Sequence, residues 1–351
     1  IELYQKENKS TTAINQHKEL CTLKKEKYPW MYEVSKCAPQ EALRDLDRAY
    51  KNFFGRCKKG GKPGFPKFKS KHKSKISFRI STGAVYITNS SVTLPKISGT
   101  VKFKEKGYIP VKDVKYNSYT ISEEAGKWFL SVPCEMSIPD QGTPPKAVYG
   151  VDVGIKTLAT VSDGATYCNP KSYSKLERTL SRAQRERCRR KKGSCNRRKT
   201  IKRLQKINYR IRNVRKDSLH KMTSDLVKTK PGLIVLEDLS VKNMLKNHKL
   251  AKALSDASFG EIRRQLEYKS KWCGSDVIFV DRFFPSSKLC SSCGALKEDL
   301  TLTDRVYICA CGLVIDRDLN AALNLKRYGE FHRSLSKNRA CGEERSQAQA
   351  A

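Results

Sequence analysis

The 351-residue sequence contains no run of about 18 apolar residues, so no transmembrane helix is expected. Its first ten residues, IELYQKENKS, lack the apolar core of a secretion signal. They also lack an initiator methionine, and the chain is expected to start inside a longer protein. Acids are scarce relative to bases: 35 Asp and Glu stand against 71 Lys and Arg, a formal net charge of +36. Self-repulsion of that size opposes a compact state unless a polyanion neutralises it. Phosphates spaced about 1.7 Å along a duplex axis reward many cations at once, which makes nucleic acid the leading partner. A membrane surface would call for a basic helix with a broad apolar face, and the basic helices here carry only sparse apolar positions. A disulfide framework is missing too. Nine of the 13 cysteines (Cys21, Cys37, Cys57, Cys134, Cys168, Cys188, Cys195, Cys273 and Cys341) follow no spacing rule. The expectation is a reducing interior, hence a cytoplasmic protein with free thiols and one metal cluster.

Patterning divides the chain. Residues 1–70 read as a helical region. In EALRDLDRAYKNFF, Leu43, Leu46, Tyr50 and Phe53 recur at helical spacing, while Arg44, Arg48 and Lys51 fall off that stripe. Those cations face either phosphate or plain solvent. The Gly/Pro/Lys-rich loop that follows sets Phe65 and Phe68 among Lys67 and Lys69, a mix suited to base stacking and backbone contact, or to anchoring the loop. Over residues 71–140 the period drops to two, in KISFRI, AVYIT, SVTLP, TVKFK, YNSYTIS and KWFLSVPCEM. Short strands with turn signals between them predict a small β-barrel. PDQGTPPK, residues 139–146, reads as a linker.

Residues 147–284 read as α/β: strands in AVYGVDVGIKTLATVSDG, basic helices over 171–227, a buried strand at 232–240, a helix at 258–274 and a strand at 275–284. In the second basic helix Ile201, Leu204, Ile207, Ile211 and Val214 form an apolar stripe. Lys202, Arg203, Lys206, Arg210, Arg212 and Arg215 flank it. One face is expected to pack and the other to lie along a nucleic-acid backbone, joined by Arg178, Arg182 and Arg185 of the first helix. A thiol module at 285–314, a helix at 315–329 and a polar tail at 330–351 complete the chain.

Two constellations carry chemistry. Cys290 and Cys293 form a CxxC, and Cys309 and Cys311 a CxC. Two such pairs suit one tetrahedral, structural Zn²⁺, although the second pair is one residue shorter than the commoner spacing. The other constellation is acidic. Asp152 interrupts an apolar strand, where a carboxylate is costly unless paired, hydrogen-bonded or metal-bound. Glu237 ends the apolar run LIVLE. Asp318 stands where a helix should begin and could be only its cap. Together they look like a converging site for two Mg²⁺ and phosphoryl chemistry.

GVDVGIKTLATVSDG, LIVLEDLSVKNM, FPSSKLCSSCG and CGLVIDRDLNAALNL occur in that order, and the set resembles the TnpB (OrfB) family. These are transposon-encoded, RNA-guided DNA endonucleases related to type V CRISPR effectors. EALRDLDRAYKNFF and GFPKFKSK resemble the family's N-terminal region. The resemblance implies a multidomain α/β plus all-β protein: an RNase H-like (RuvC) nuclease with an inserted zinc ribbon, preceded by a helical recognition region and the barrel. It implies Asp152, Glu237 and Asp318 as catalytic acids, with Asp316 the fallback for the third. It also implies a guide RNA derived from the transposon end, a double-stranded DNA target, and recognition of a short flanking motif by the region around Arg44 to Asn52 and by the barrel. Use at the prokaryotic nucleoid follows from the same resemblance, as does a further strand ahead of Ile1. A miniature type V CRISPR effector, a non-cleaving RNA-guided regulator and a conventional transposase remain competing readings.

Overall fold

The computed structural model describes residues 11–61, 64–70, 74–81, 85–137, 147–301 and 303–349, the last fourteen as a helix path. It forms two compact units, Ile1–Ser137 and Ile138–Ala351. The expected linker at 139–146 lies outside the described residues.

In the first unit, α1 (Ala13–Glu26) starts at Thr12, whose Oγ1 accepts the Asn15 N–H at 3.3 Å. A 3-10 turn (Pro29–Tyr32) leads to α2 (Cys37–Lys58). Buried Glu41 ties α2 to the strands. It takes Arg44 at 2.6 Å on its own helix and Arg79 at 3.7 Å across the packing.

The strands read from the period-two pattern form, but they do not close into a barrel. They are β1 (Ser77–Ser81), β2 (Tyr86–Ile87), β3 (Ser91–Thr93), β4 (Thr100–Lys102), β5 (Lys115–Tyr116), β6 (Ser118–Glu124), β7 (Lys127–Ser131) and β8 (Cys134–Glu135). Three small sheets result, β1-β6-β7, β2-β3-β4 and β5-β8. Alternation reports which face is buried, not which edges pair. Closure demands long strands of matched stagger, whereas β2, β5 and β8 are each only two residues long. Ile80, Val92, Leu94, Tyr119 and Ile121 still share one apolar cluster with Cys37 of α2. The sheets therefore pack around a common core without a common ladder.

The second unit is built on a five-stranded sheet of order β11-β10-β9-β12-β13. Its strands are β9 (Val148–Asp152), β10 (Thr157–Val161), β11 (Thr166–Cys168), β12 (Leu233–Glu237) and β13 (Asp276–Val280). The hairpin pairs β9-β10 and β10-β11 are antiparallel; β12 runs parallel to both β9 and β13. Between β11 and β12 lie α3 (Ser172–Arg189) and α4 (Cys195–Lys228), packed through Leu180, Ala183, Leu204 and Ile211. Short helices α5 (Val241–Met244) and α6 (Ala251–Ala257) precede α7 (Phe259–Cys273). A hairpin of β14 (Val306–Ile308) and β15 (Val314–Asp316) then feeds α8 (Arg317–Gln349). The helix runs on past Glu330, where the sequence predicts a polar tail.

Both faces of the sheet are covered, and strand parity separates them. Val151, Ile234 and Leu236 join Leu219, Met222, Leu226, Phe259, Ile262 and Leu266 on the α4/α7 side. Val148, Leu233 and Val235 join Leu325 and Tyr328 on the α8 side. The closest approach is at Gly150, where an added Cβ would meet the Ala322 carbonyl at 2.0 Å and the Lys326 nitrogen at 2.5 Å. Gly329 answers from the helix, where a Cβ would lie 2.5 Å from Val235 Cγ2. Two missing side chains let α8 lie directly on β9.

Candidate functional site

Parity carries over from the core to the acids. On β9, Val148 and Gly150 face α8, so Asp152 does as well; on β12, Leu233 and Val235 face it, so Glu237 does as well. The parallel register pairs Val235 with Gly150, and Glu237 and Asp152 stand two residues further along their strands. Asp318 enters from the first turn of the helix that covers this face. Three carboxylates from distant stretches thus meet at one end of the sheet.

The three are electrostatically coupled. Asp152 is pushed up to about 7, first by burial and then by the carboxylates of Glu237 and Asp318; Arg317 and the Val153 N–H act in the other direction. Like charges around a recessed carboxyl disfavour its ionisation. A divalent cation supplied to such a cluster would reverse that preference.

Neighbouring acids are occupied elsewhere. Asp316 Oδ1 accepts the backbone N–H groups of Asp318 at 2.9 Å and Leu319 at 3.1 Å, so Asp316 caps α8. Asp238, next to Glu237, is taken by Arg263 at 2.5 Å and Arg282 at 3.2 Å. Glu237 instead accepts the hydroxyl of Ser286.

The four cysteines of the thiol module also converge, all Sγ atoms lying within 4.8 Å of one another. Cys290 and Cys311 are 3.6 Å apart, as are Cys293 and Cys309. A tetrahedron with Zn–S bonds of about 2.3 Å has edges near 3.8 Å, so the shortened CxC closes the cluster at the size a metal ion requires. Burial pushes the Cys290 thiol up, but the N–H groups of Cys293 and Ser292 together with the thiols of Cys309 and Cys293 bring it down to about 6. At Cys309 the Cys311 N–H favours the thiolate, yet burial and the three other thiols override it and push the group up to about 12. Without a cation, one thiolate suppresses the next.

This module is stitched to α8. The Asn320 amide nitrogen donates to the Leu289 carbonyl at 2.7 Å, and its oxygen accepts the Ser291 N–H at 2.9 Å. Asn324 donates to the carbonyls of Ser286 and Leu289, both at 2.7 Å. Arg327 reaches the Ser292 carbonyl at 3.2 Å. Sequence reasoning missed the roles of Ser286, Asn320 and Asn324. A signal was there: two Asn at i,i+4 on the apolar face of NAALNL, where a polar side chain must find partners.

The candidate nucleic-acid contacts fall on both units. On α3 and α4, Arg178, Arg182, Arg185, Lys202, Arg203, Lys206 and Arg210 are all exposed. Of these, Arg203 lies 3.5 Å from Glu186. Arg215 departs from the expected cationic face: it turns inward to the buried Asp256 at 2.8 Å, which also accepts the Ser172 hydroxyl at 2.7 Å and the Tyr173 N–H at 3.0 Å. Ile201 and Val214, expected in the apolar stripe, are exposed; Leu204 and Ile211 alone are fully buried. In the first unit, Arg44, Arg48, Lys51, Asn52, Lys67 and Lys69 are exposed. Arg48 and Lys69 share Asp45 at 3.6 and 3.5 Å, and Lys51 lies 2.8 Å from Asp47. Pairs this exposed contribute little and yield readily to phosphate. Beside them Tyr50, Phe53, Phe54 and Phe65 form a ring cluster with centroids 5.2 to 6.3 Å apart. Among the described residues no helix is long and apolar enough to cross a membrane.

A family model described as "Probable transposase" (OrfB_IS605) matches residues 131–248, and one described as "Cas12f1-like, TNB domain" matches residues 259–325. A "Putative RNA-guided DNA endonuclease" of Streptomyces pristinaespiralis is 38% identical over 307 residues, covering 87% of this chain and 74% of that one. The protein of the same description named InsQ, from Escherichia coli (strain K12), is 32% identical over 333 residues, covering 90% and 78%. In fold, the chain is similar to the protein in a cryo-EM structure of a Cas12f1-sgRNA-target DNA complex. The TM-score is 0.51 at 18% identity, over 93% of this chain and 77% of that one. With relatives this similar along most of its length, the chain belongs to the TnpB (OrfB) family.

Proposed function

We propose that the protein is an RNA-guided DNA endonuclease whose reaction centre is Asp152, Glu237 and Asp318 on an RNase H-like (RuvC) domain. One observation carries this reading: strand parity and the docking of α8 gather these three acids on one face, where two of them raise the third. The strand order, a three-stranded antiparallel meander continued by two parallel strands, supports the RNase H-like assignment. The acids are all oxygen donors, the ligand type that suits Mg²⁺. Two such ions held there would supply charge stabilisation for in-line displacement at a phosphodiester, leaving 5′-phosphate and 3′-hydroxyl ends. Asp152 must be ionised to serve, and its neighbours make that depend on a bound cation. Ser286 fixes one oxygen of Glu237, which leaves the other to face the cluster. Arg317 lies 3.7 Å from Asp318 and adds positive charge at the rim.

Cys290, Cys293, Cys309 and Cys311 would hold one structural Zn²⁺. The exposed cations of α3 and α4, and those of the first unit with its aromatic cluster, would bind guide RNA and double-stranded target DNA. In such a division of labour, base pairing reads sequence and protein reads a short flanking motif. The domain bounds expected from sequence serve as the working division, except that the last helix continues to Gln349.

The test is to purify the protein from its host, sequence the RNA that travels with it, and assay cleavage of a matching duplex in Mg²⁺. Cleavage that depends on RNA and disappears in Asp152→Ala, with DNA binding retained, supports the proposal. A wild-type complex that binds its target and never cuts would make it a regulator. Strand transfer without RNA would make it a transposase.

A further inference from the structure

Ser286 sits where three parts of the second unit meet, and no catalytic role requires it. It is buried, with 4% of its surface exposed. Its hydroxyl donates to Glu237 at the end of β12, and its carbonyl accepts the Asn324 amide of α8 at 2.7 Å. Asn324 and Asn320, one turn apart, both hold the Leu289 carbonyl, and Asn320 also holds the Ser291 N–H within the first cysteine pair's loop. Both asparagines are buried, Asn320 completely. Every one of these amide bonds is made inside the protein, so breaking one leaves a partner unpaired.

We infer that Ser286 is a positioning residue that fixes the Glu237 carboxylate for divalent-cation binding, and that Asn324 and Asn320 lock it to α8 and to the cysteine loop. The inference rests on Glu237 being a cation ligand, as proposed above. A hydroxyl donating to one carboxylate oxygen removes rotation about the terminal torsion, and outer partners of this kind tune metal affinity by about 10–100-fold. The lock gives the cysteine module a mechanical path to the acids: Cys290 loop, Asn320 and Asn324, Ser286, Glu237. The same helix carries Asp318, so one body sets two of the three acids.

Ser286→Thr and Ser286→Val test this at matched volume, since they differ only in the hydroxyl. Each full-length variant is titrated with Mn²⁺ by electron paramagnetic resonance, with Asp152→Ala marking binding outside the cluster. Target cleavage is then followed against Mn²⁺ concentration, and zinc content is measured. Val at position 286 should raise the half-saturating Mn²⁺ about tenfold relative to Thr in both binding and cleavage. The maximal rate should change less than about threefold, with zinc content equal in the pair. Equal Mn²⁺ affinity in the two variants would overturn the inference. Glu237→Ala separates the two readings. If it leaves Mn²⁺ binding intact, the assignment of Glu237 itself fails. If it abolishes binding while Thr and Val behave alike, only the positioning role fails.

Discussion

The backbone N–H of Asp318 donates to the carboxylate of Asp316 at 2.9 Å. Two acids two residues apart in the motif DRD are thereby given separate tasks. Asp316 caps α8, and Asp318, one position into the helix, is left for the cluster with Asp152 and Glu237. Asp316→Ala should cost about 1 kcal/mol, the usual loss for a cap, and keep measurable cleavage. Asp318→Ala should keep its melting temperature and lose cleavage by orders of magnitude. Thermal melts and single-turnover cleavage of the two variants, run side by side, check the division.

Asp152 makes a pH-dependent prediction. Its folded value of about 7 lies above the unfolded carboxylate value of about 3.9. The folded chain therefore keeps a proton that the unfolded chain releases, and stability is lost as pH rises between those values. In Mg²⁺-free buffer at pH 8, Asp152→Asn should be more stable than wild type, by on the order of 2–4 kcal/mol. The gain should shrink as pH falls toward 5, and added Mg²⁺ should stabilise wild type but not the variant. Denaturant melts at the two pH values measure it.

Gly150 and Gly329 should differ in tolerance. A Cβ at Gly150 collides with backbone atoms of α8, which cannot rotate away. At Gly329 the nearest atoms are side-chain methyls of Val235 and Val148. Gly329→Ala should cost about 1–3 kcal/mol, as overpacking does. Gly150→Ala should cost more and lift α8 from β9. Hydrogen exchange across residues 318–329 would register that lifting.

Disrupting the cysteine cluster should reach the acids. Cys290→Ser should lower the melting temperature and reduce DNA cleavage together, because Asn320 and Asn324 tie this loop to the helix bearing Asp318. Unchanged cleavage and melting in that variant would show that the cluster stands apart from the chemistry.

Arg215 and its neighbours on α4 should separate fold from binding. Arg215→Ala strands the buried Asp256 carboxylate and should cost about 3–5 kcal/mol. Replacing Lys202, Lys206 and Arg210 with Ala should leave stability nearly unchanged. It should weaken RNA binding and flatten its salt dependence by about 0.7 per lost phosphate contact. Filter binding over a salt series, with melts alongside, distinguishes the two groups.

Much of the second unit was legible in the sequence because burial writes itself into period. LIVLE is apolar on both faces, as a doubly covered strand must be, and Asp152 and Glu237 stand out against such runs. The thiol spacing was equally plain. What period cannot convey is partnership. The strands of residues 77–135 were visible, but their edges pair locally and no barrel closes. Arg215 looked like its cationic neighbours on α4 until Asp256, forty-one residues on, claimed it. Asp316 and Asp318 were separable only once the helix start was fixed, because a cap is defined by geometry that begins at one particular N–H. Nothing in the strand around Gly150 marks it, because its purpose lies in a helix that follows much later.

That last separation has a consequence for synthesis. The face of β9 and β12 that bears Val148, Leu233 and Val235 stays bare until α8 leaves the ribosome, and the third acid arrives with the same helix. A nascent chain stalled between residues 237 and 318 exposes that apolar surface and holds two of the carboxylates with no third. If Asp318 is the third acid, the helix that covers this apolar face also completes the reaction centre, so folding of the face and assembly of the site become one event.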